Sequence, residues 1–226
     1  MKRFLFFGAH PDDETVGLGG TIARLAEAGH EVYGVTLTNG SEGYDKPELR
    51  DVISEIRMRE LDSVVKFLGV KSWEKWNYAD YDDRLESKEV LKREIAAIRR
   101  YKPHVIFTHY PEDRHRDHRN VSVTVTEAWW QAGERVLAEQ GSPWRAESLY
   151  YFEVFSPIVY PSHISDISET FHRKVEAMKL YESQLKTIPY VVQAFEGLNR
   201  FRGSMISSKF GEALLKSVNA PSRFEP

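Results

Sequence analysis

The amino-acid sequence predicts an α/β fold, in which a Rossmann-like, mostly parallel sheet is flanked by helices and followed by a less regular C-terminal part. Short apolar runs alternate with longer amphipathic stretches along much of the chain. This alternation is typical of strands joined by crossover helices, which make neighbouring strands parallel. Polar clusters follow two of the apolar runs, which fits the same fold because open α/β sheets bind ligands at the carboxyl ends of their strands.

The first five predicted elements lie within residues 4–78. Residues 4–9 form a continuous apolar run and are predicted as a buried strand, and residues 15–28 follow as a helix. A second apolar run predicts a strand at 31–38, and an amphipathic stretch predicts a helix at 52–68. A weaker strand is expected at 73–78.

The remaining predicted elements begin at residue 88 and extend into the less regular C-terminal part. A helix is expected at 88–101, with Pro103 marking its end, and a buried strand follows at 105–108. Beyond these, the pattern predicts a helix at 118–137, a strand at 149–155 and a helix at 168–183. Because no internal repeat or low-complexity linker interrupts the sequence, we predict a single domain over residues 1–226.

The composition excludes several classes of protein. Lysine and arginine number 31 and aspartate and glutamate 34, a formal net charge of -3, so no basic field indicates a nucleic-acid partner. No apolar run approaches the roughly 18 residues of a membrane span, and the start of the chain lacks a signal-peptide pattern. We therefore expect a cytoplasmic protein with no membrane partner. The chain has no cysteine, so any metal must be held by nitrogen and oxygen ligands.

The most informative motif is His-Pro-Asp-Asp-Glu at residues 10–14, directly after the first predicted strand. If this segment begins a helical turn, His10 and Asp13, which are three residues apart, lie on the same side of that turn and can share a cation. Asp12 then projects beside the ion. An acidic run at a helix start also serves N-capping and compensates the helix dipole, so a structural role for Asp12 or Asp13 is the plain alternative.

A second cluster, His-Arg-Asp-His at residues 115–118, follows the strand predicted at 105–108. Because both clusters follow strands at the same sheet edge, we expect them to meet. A third ligand from either His115 or His118 would complete a set of two histidines and one carboxylate on one side of the metal ion. The remaining coordination positions would be open to water and substrate. A divalent cation there lowers the pKa of a bound water to about 7, and a free carboxylate can take its proton as the water attacks a carbonyl. The leftover histidine can stabilise the oxyanion or protonate the leaving group.

Three function classes remain open on these residues alone. They are a metal-dependent hydrolase, a ligand-binding α/β module without catalysis, and a non-haem iron oxygenase, which also uses two histidines and one carboxylate. A free Asp12 beside the ligands favours hydrolysis. The glycine-rich stretch at 17–20 is similar to a dinucleotide fingerprint, but its spacing differs, so we interpret it as close helix-to-sheet packing. Four of the histidines outside the two motifs are interpreted as packed or exposed: His104, His109, His163 and His172.

With its two histidine–acid motifs, the sequence resembles the LmbE-like, or PIG-L-like, zinc-dependent N-acetylglucosaminide deacetylases. Shorter similarities span most of the chain, at residues 38–40, 57–60, 68–69, 113–115, 166–168, 181–184 and 209–212. Within the family, the sequence looks most like the enzymes that deacetylate N-acetylglucosaminyl malate in bacillithiol synthesis. The two motifs are the specific part of this resemblance, and the C-terminal similarities are weak.

The resemblance implies metal ligands and a general base. His10, Asp13 and His118 match the family's zinc ligands, and another divalent metal such as Fe²⁺ is compatible with the same donors. Asp12 matches the general base. The implied reaction is hydrolysis of the acetamide of a small N-acetylated amino sugar, with N-acetylglucosaminyl malate as the first candidate. A chitooligosaccharide or another amino-sugar conjugate carries the same bond.

Other positions are matched to supporting roles by the resemblance. His115 matches the histidine that polarises the amide carbonyl or assists the leaving amine, and Asp117 matches the carboxylate that orients His115. Arg57 matches an arginine that contacts polar groups of the substrate. Some relatives carry a tyrosine where this chain has Asp113, so that oxyanion helper is missing or comes from elsewhere. Because relatives often form trimers or hexamers, a homo-oligomer is expected.

Overall fold

The structure, a computed structural model, describes residues 1–218, and the part of the predicted domain at 219–226 lies outside the described residues. Within residues 1–218, one sheet contains seven strands: β1 (Arg3–Gly8), β2 (Glu31–Thr38), β3 (Ser72–Tyr78), β4 (Val105–His109), β5 (Ser148–Phe152), β6 (His163–Asp166) and β7 (Gly211–Lys216). The α-helices of this region are α1 (Asp13–Glu27), α2 (Ile53–Phe67), α3 (Lys88–Tyr101), α4 (Arg116–Ala132), α5 (Phe171–Lys179), α6 (Glu182–Thr187) and α7 (Val191–Ser204). Short 3₁₀ helices occur at Pro47–Leu49, Asp83–Glu86 and Ala138–Gln140.

The strand order β3-β2-β1-β4-β5-β7-β6 places β1 inside the sheet. β1 pairs in parallel with β2 on one side and with β4 on the other, and β3 and β5 extend the parallel part. β7 is antiparallel to both β5 and β6. The predicted mostly parallel α/β sheet is therefore confirmed. Because the chain winds outward from β1 to β3 and then returns to β4, β1 and β4 flank the switch point at which such sheets form a binding crevice.

Each face of the sheet has its own hydrophobic core, because successive side chains of a strand point to opposite faces. Leu5 and Phe7 of β1 belong to the core that contains residues of α3 and α4. Phe6 belongs to the other core, together with residues of α1, α2 and α5. Layers of helices on both faces bury the central strands and hold their carboxyl ends in place.

The glycine-rich stretch lies in α1 and packs closely, as predicted. A Cβ atom at Gly17 would lie 2.5 Å from the ring of Phe152 in β5, and one at Gly20 would lie 2.8 Å from Ile167. Separations this short are well inside van der Waals contact, so these positions have no room for a larger residue. The glycines thereby allow α1, which begins at Asp13 of the first motif, to lie against the sheet.

The structure corrects the prediction for the C-terminal part. Residues 168–183 do not form one helix, since α5 ends at Lys179 and α6 begins at Glu182. The helix expected at 118–137 ends at Ala132, with Gly133 as the C-cap, and the strand expected at 149–155 ends at Phe152. The prediction also lacks β6, α7 and β7. β6 has only four residues, none of them buried, and β7 acquires its strand conformation through pairing with β5 and β6.

The described strands all join a single sheet, and the extent of the domain over 1–226 stays a prediction. None of the helices within residues 1–218 combines the length and the apolar character that a bilayer crossing requires.

Glu94 of α3 is a buried acidic residue outside both motifs. Its Oε1 accepts a hydrogen bond from Thr124 Oγ1 of α4 at 2.9 Å, and burial raises the pKa of Glu94 well above its ordinary value. The folded protein thus keeps a proton that the unfolded chain releases. The stabilisation that this bound proton provides is complete below the pKa that Glu94 has in the unfolded chain. It is lost as the pH rises toward the higher pKa of Glu94 in the folded protein.

We therefore expect Glu94→Gln to have a larger free energy of unfolding than the wild type at pH 8 and to differ least near pH 4. The difference should grow by up to about 1.4 kcal/mol per pH unit, the value for one linked proton. Urea unfolding at a series of pH values measures this, with the exposed Glu89→Gln of the same helix as the control. A difference that does not change with pH would contradict the expectation.

Candidate metal and catalytic site

The first motif forms a tight turn between β1 and α1. The backbone N–H of His10 donates to Asp13 Oδ2 at 2.7 Å, and the N–H groups of Thr15 and Val16 donate to the carbonyl oxygen of Asp12 at 2.9 Å. Asp12 has φ 113°, a left-handed conformation that few residues other than glycine adopt. These hydrogen bonds hold the strained turn and set the directions of the side chains around it.

The second motif begins α4. His115 is the N-cap residue, and Asp117 and His118 lie in the first turn. Just before it, Asp113 is buried, and its carboxylate accepts hydrogen bonds from the N–H groups of His115 and Phe155 at 2.8 and 3.0 Å. Burial raises the pKa of Asp113, but its contact with His118 outweighs this and lowers the pKa to about 2. Asp113 therefore accepts hydrogen bonds that fix the loop and does not act as a donor.

The two motifs meet, and donor atoms of three of their residues converge. His10 Nδ1 lies 3.1 Å from His118 Nε2 and 3.5 Å from Asp13 Oδ2. His118 Nε2 lies 3.2 Å from Asp13 Oδ1. Ligand atoms about 2.0–2.1 Å from a tetrahedral ion lie about 3.3 Å from one another, so these donors have the spacing that one zinc-sized cation requires. Two imidazoles and one carboxylate are donors that suit both Zn²⁺ and Fe²⁺.

Neighbouring side chains extend the set of possible ligands. Among the described residues, three groups have ligand atoms within 4.8 Å of one another: His10, His115 and His118; Asp13, His109 and His118; and His10, Asp80 and Asp117. The predicted ligands His10, Asp13 and His118 are drawn from the first two groups. This ligand set stays a prediction, as does the choice of His118 over His115.

The charges around these donors favour a cation. Burial lowers the pKa of His10, but hydrogen bonds to Asp117 and Asp13 outweigh it and raise the pKa to about 10. Burial also lowers the pKa of His118, and Asp13 with Asp113 reverses that effect. The carboxylates that raise these two pKa values create a negative field at His10 and His118, which a divalent cation can neutralise.

Asp12 lies beside these donors and belongs to none of the three ligand groups found in residues 1–218. Its Oδ2 accepts a hydrogen bond from Arg57 Nη2 at 3.1 Å. Burial raises the pKa of Asp12 to about 7, and the nearby Arg57 opposes only part of this rise. A carboxylate with a pKa near neutrality is suited to accepting and returning a proton.

Arg57, which the resemblance matches to a substrate contact, is engaged within the protein. Its side chain donates to the carbonyl oxygens of Pro11 and Gly40 as well as to Asp12, and the residue is only 4% exposed. Gly40 has φ 70°, and a Cβ there would lie 2.5 Å from Arg57 Nη1, so the chain at this position fits closely around the guanidinium. Arg57 thus braces the first motif, and its contact with substrate stays a prediction.

His115 is a half-buried, neutral imidazole. Burial lowers the pKa of His115 to about 4, and the positive charges of His10 and His118 act in the same direction. Its Nδ1 accepts a hydrogen bond from the backbone N–H of Asp117 at 3.2 Å, so the ring proton lies on Nε2. The carboxylate of Asp117 instead contacts His10 Nε2 at 3.0 Å. This differs from the implied contact because the N-cap geometry turns His115 onto the Asp117 backbone and leaves the carboxylate to support His10.

Sequence patterns did not identify three residues that complete the cluster. His109 ends β4 and is buried, as interpreted, but its ring stacks on His118 with centroids 3.9 Å apart, and its Nε2 lies 3.1 Å from Asp13 Oδ2. Asp80 and Tyr81 follow β3, and the Tyr81 hydroxyl lies 3.3 Å from His115 Nε2. The one signal that could have found them is their position at the carboxyl ends of parallel strands.

A mostly apolar cavity of about 580 Å³ adjoins the cluster. Phe155 lines the cavity and also stacks on the ring of His118, with centroids 5.3 Å apart. Arg114 lines it as well, and its guanidinium lies 5.2 Å from the Phe155 ring centroid. Residues of α1, of 153–157 and of 187–199 contribute the other walls. The cavity has room for the part of a substrate that extends away from the metal ligands.

Comparisons with known proteins agree with this architecture. The family model PIG-L: GlcNAc-PI de-N-acetylase matches residues 5–129. A 1D-myo-inositol 2-acetamido-2-deoxy-alpha-D-glucopyranoside deacetylase of Segniliparus rotundus is 33% identical over 180 residues, which cover 66% of this chain and 57% of that protein. The diacetylchitobiose deacetylase of Thermococcus kodakarensis is 28% identical over 197 residues, covering 81% of this chain and 70% of that protein.

A solved structure gives the same result at the level of the fold. The N,N'-diacetylchitobiose deacetylase from Pyrococcus horikoshii matches with a TM-score of 0.87 and 25% identity, over 96% of this chain and 84% of that chain. The chain spans little more than half the length of the Segniliparus protein, so the resemblance identifies a shared family rather than a shared substrate. The family model covers more than half of the sequence and includes both histidine–acid motifs, and the chain therefore belongs to the PIG-L, or GlcNAc-PI de-N-acetylase, family.

Proposed function

We propose that this protein is a metal-dependent N-deacetylase that hydrolyses the acetamide of an N-acetylglucosamine-type substrate. The observation that carries the proposal is the convergence of His10, Asp13 and His118. The two imidazole nitrogens lie 3.1 Å apart, and one carboxylate oxygen of Asp13 lies 3.5 Å from His10 while the other lies 3.2 Å from His118. The carboxylate of Asp12 lies beside them, outside the ligand groups of the described residues. The deacetylase relatives support the same class of reaction.

In this mechanism His10, Asp13 and His118 would hold Zn²⁺ or Fe²⁺, which would supply Lewis-acid polarisation and make water more acidic. Asp12 accepts a proton from the water whose oxygen attacks the acetamide carbonyl carbon. His115 donates from Nε2 to the carbonyl oxygen as negative charge develops on it. When the C–N bond breaks, Asp12 returns the proton to the amine nitrogen, and acetate and a free amino sugar leave.

Two observations bear on which N-acetylated sugar is bound. Arg114, in the adjoining cavity, can pair with a carboxylate, which supports N-acetylglucosaminyl malate as the first candidate and a place in bacillithiol synthesis. The rings of Phe155 and Tyr190 also line the cavity and can stack on a second sugar, which favours a chitooligosaccharide as the second candidate. The diacetylchitobiose deacetylases among the relatives agree with the second candidate.

An assay of acetate release tests the proposal. We expect the metal-loaded protein to release acetate from N-acetylglucosaminyl malate, from diacetylchitobiose or from both. Chelation should abolish this activity, and added Zn²⁺ or Fe²⁺ should restore it, because the polarised carbonyl and the activated water both depend on the cation. Activity that survives complete metal removal would contradict the proposed mechanism.

The same assay separates the other function classes. Oxygen consumption with a 2-oxo acid and no acetate release would indicate an iron oxygenase. Sugar binding without acetate release by the metal-loaded protein would indicate a binding module. The cytoplasmic location and the trimeric or hexameric assembly stay predictions that rest on composition and on the family resemblance.

A further inference from the structure

Tyr81 reaches the candidate site from a loop that no sequence motif singled out. It follows β3, the residue is 51% exposed, and its ring stacks on that of His115 with centroids 5.3 Å apart and planes 28° apart. Its hydroxyl oxygen lies 3.3 Å from His115 Nε2. An exposed phenol in contact with a half-buried imidazole lies where a ligand entering from solvent would meet it.

The backbone of Tyr81 is held in an unusual conformation next to the candidate ligands. Its φ of 60° is in the left-handed region, which is a rare conformation for an aromatic residue and persists only where the surroundings enforce it. The N–H of Tyr81 donates to Asp117 Oδ2 at 2.9 Å, and the same oxygen lies 3.0 Å from His10 Nε2. The preceding Asp80 accepts hydrogen bonds from the N–H groups of Gly40 and Glu42, both at 2.9 Å. The loop is therefore fixed at Tyr81 and at the residue before it.

The hydrogen bonds of His115 leave two donors side by side, its own Nε2–H group and the hydroxyl of Tyr81. Because Nδ1 of His115 accepts from the backbone N–H of Asp117, the neutral ring carries its proton on Nε2 and can donate it toward Tyr81 Oη. The phenol proton then remains available for another acceptor. Burial and the negative charge of Asp117 raise the pKa of Tyr81, so the hydroxyl stays protonated at neutral pH.

Two donors 3.3 Å apart can share one oxygen, since an oxygen can lie about 2.8 Å from both. We propose that Tyr81 is a catalytic residue whose hydroxyl, together with His115 Nε2, donates a hydrogen bond to the acetamide carbonyl oxygen as it gains negative charge. No bond to Tyr81 forms or breaks, and its proton stays on the phenol. The inference rests on the proposed deacetylation.

Tyr81→Phe tests this role because it removes the hydroxyl and keeps the ring that stacks on His115. In the zinc-loaded protein we expect kcat for acetate release to fall by about 10²-fold, with KM changed by less than about threefold, since the contact strengthens in the transition state. Tyr160→Phe removes a hydroxyl from a residue that is 85% exposed and is expected to keep wild-type kinetics. An unchanged kcat in Tyr81→Phe, or a loss confined to KM, would overturn the proposal.

A binding measurement provides a second readout that does not depend on turnover. Acetate titrated calorimetrically into zinc-loaded protein presents an anionic oxygen in place of the carbonyl oxygen. We expect Tyr81→Phe to bind acetate several-fold more weakly at unchanged zinc content, and equal affinities would reject the contact. If the wild type hydrolyses no N-acetylated sugar, the proposed function fails, and the acetate affinities still decide whether Tyr81 contacts an oxyanion.

Discussion

Asp12→Asn is expected to leave zinc bound and to lower kcat for acetate release by about 10²–10⁴-fold, the usual contribution of a positioned general base. The amide is nearly isosteric with the carboxylate, and its oxygen can still accept the hydrogen bond from Arg57. It cannot accept the proton of the attacking water. Metal content by mass spectrometry and steady-state kinetics on the same preparation measure both parts of the expectation.

His10→Ala is the matched variant, because it removes a donor atom from the convergent set and leaves Asp12 in place. We expect this variant to lose zinc and activity together, whereas Asp12→Asn loses only activity. A circular-dichroism spectrum and an unfolding curve for each variant separate these effects from misfolding. Equal loss of zinc in the two variants would show that Asp12 is itself a ligand and would overturn its assignment as the base.

Local patterns in the sequence predict the first five strands and the meeting of the two histidine–acid motifs. The strands from β1 to β5 are predicted because apolar runs and amphipathic stretches follow one another at readable intervals. The two motifs are predicted to meet because each follows a predicted parallel strand, and the carboxyl ends of parallel strands share one edge of the sheet. The structure adds that these two strands, β1 and β4, flank the switch point. Both expectations depend on neighbours in the sequence and on one general rule about parallel sheets.

What the sequence does not predict depends on contacts between distant loops. Arg57 is matched to a substrate contact, yet in the folded chain it donates to Pro11 and Gly40. The Asp117 carboxylate contacts His10 rather than His115, and Tyr81 joins the site from the end of β3. These contacts arise only when the loops after β1, β2, β3 and β4 meet, and no periodicity or spacing within one segment encodes such a meeting.

β7 in the C-terminal part also depends on contacts with distant segments, which the sequence does not predict. One of these contacts is expected to have a large effect on stability. Glu212 of β7 is fully buried and accepts a hydrogen bond from Lys174 Nζ of α5 at 2.7 Å. It also accepts from the backbone N–H groups of Gly20 and Thr21 in α1, at 3.1 and 2.8 Å. These donors lie just after Leu18, where the backbone of α1 departs from helical geometry. Glu212 thus joins the last strand to the helix that begins with the first motif.

Lys174→Met is expected to lower the free energy of unfolding by about 3–5 kcal/mol, because it leaves the buried carboxylate of Glu212 without its counter-charge. Adding Glu212→Gln should recover part of this loss, since no charge remains buried and the amide oxygen can still accept from one of the two N–H groups of α1. Urea unfolding of both variants at pH 7 measures the two effects.

Lys179→Met is the control from the same helix, because Lys179 and its partner Glu176 are more than half exposed and such pairs contribute at most about 1 kcal/mol. If Lys174→Met proved no more destabilising than Lys179→Met, the buried pair would not hold β7 against α1 and α5. Recovery in the double variant then distinguishes an unpaired charge from lost packing, since a cavity left by the lysine side chain would persist in both variants.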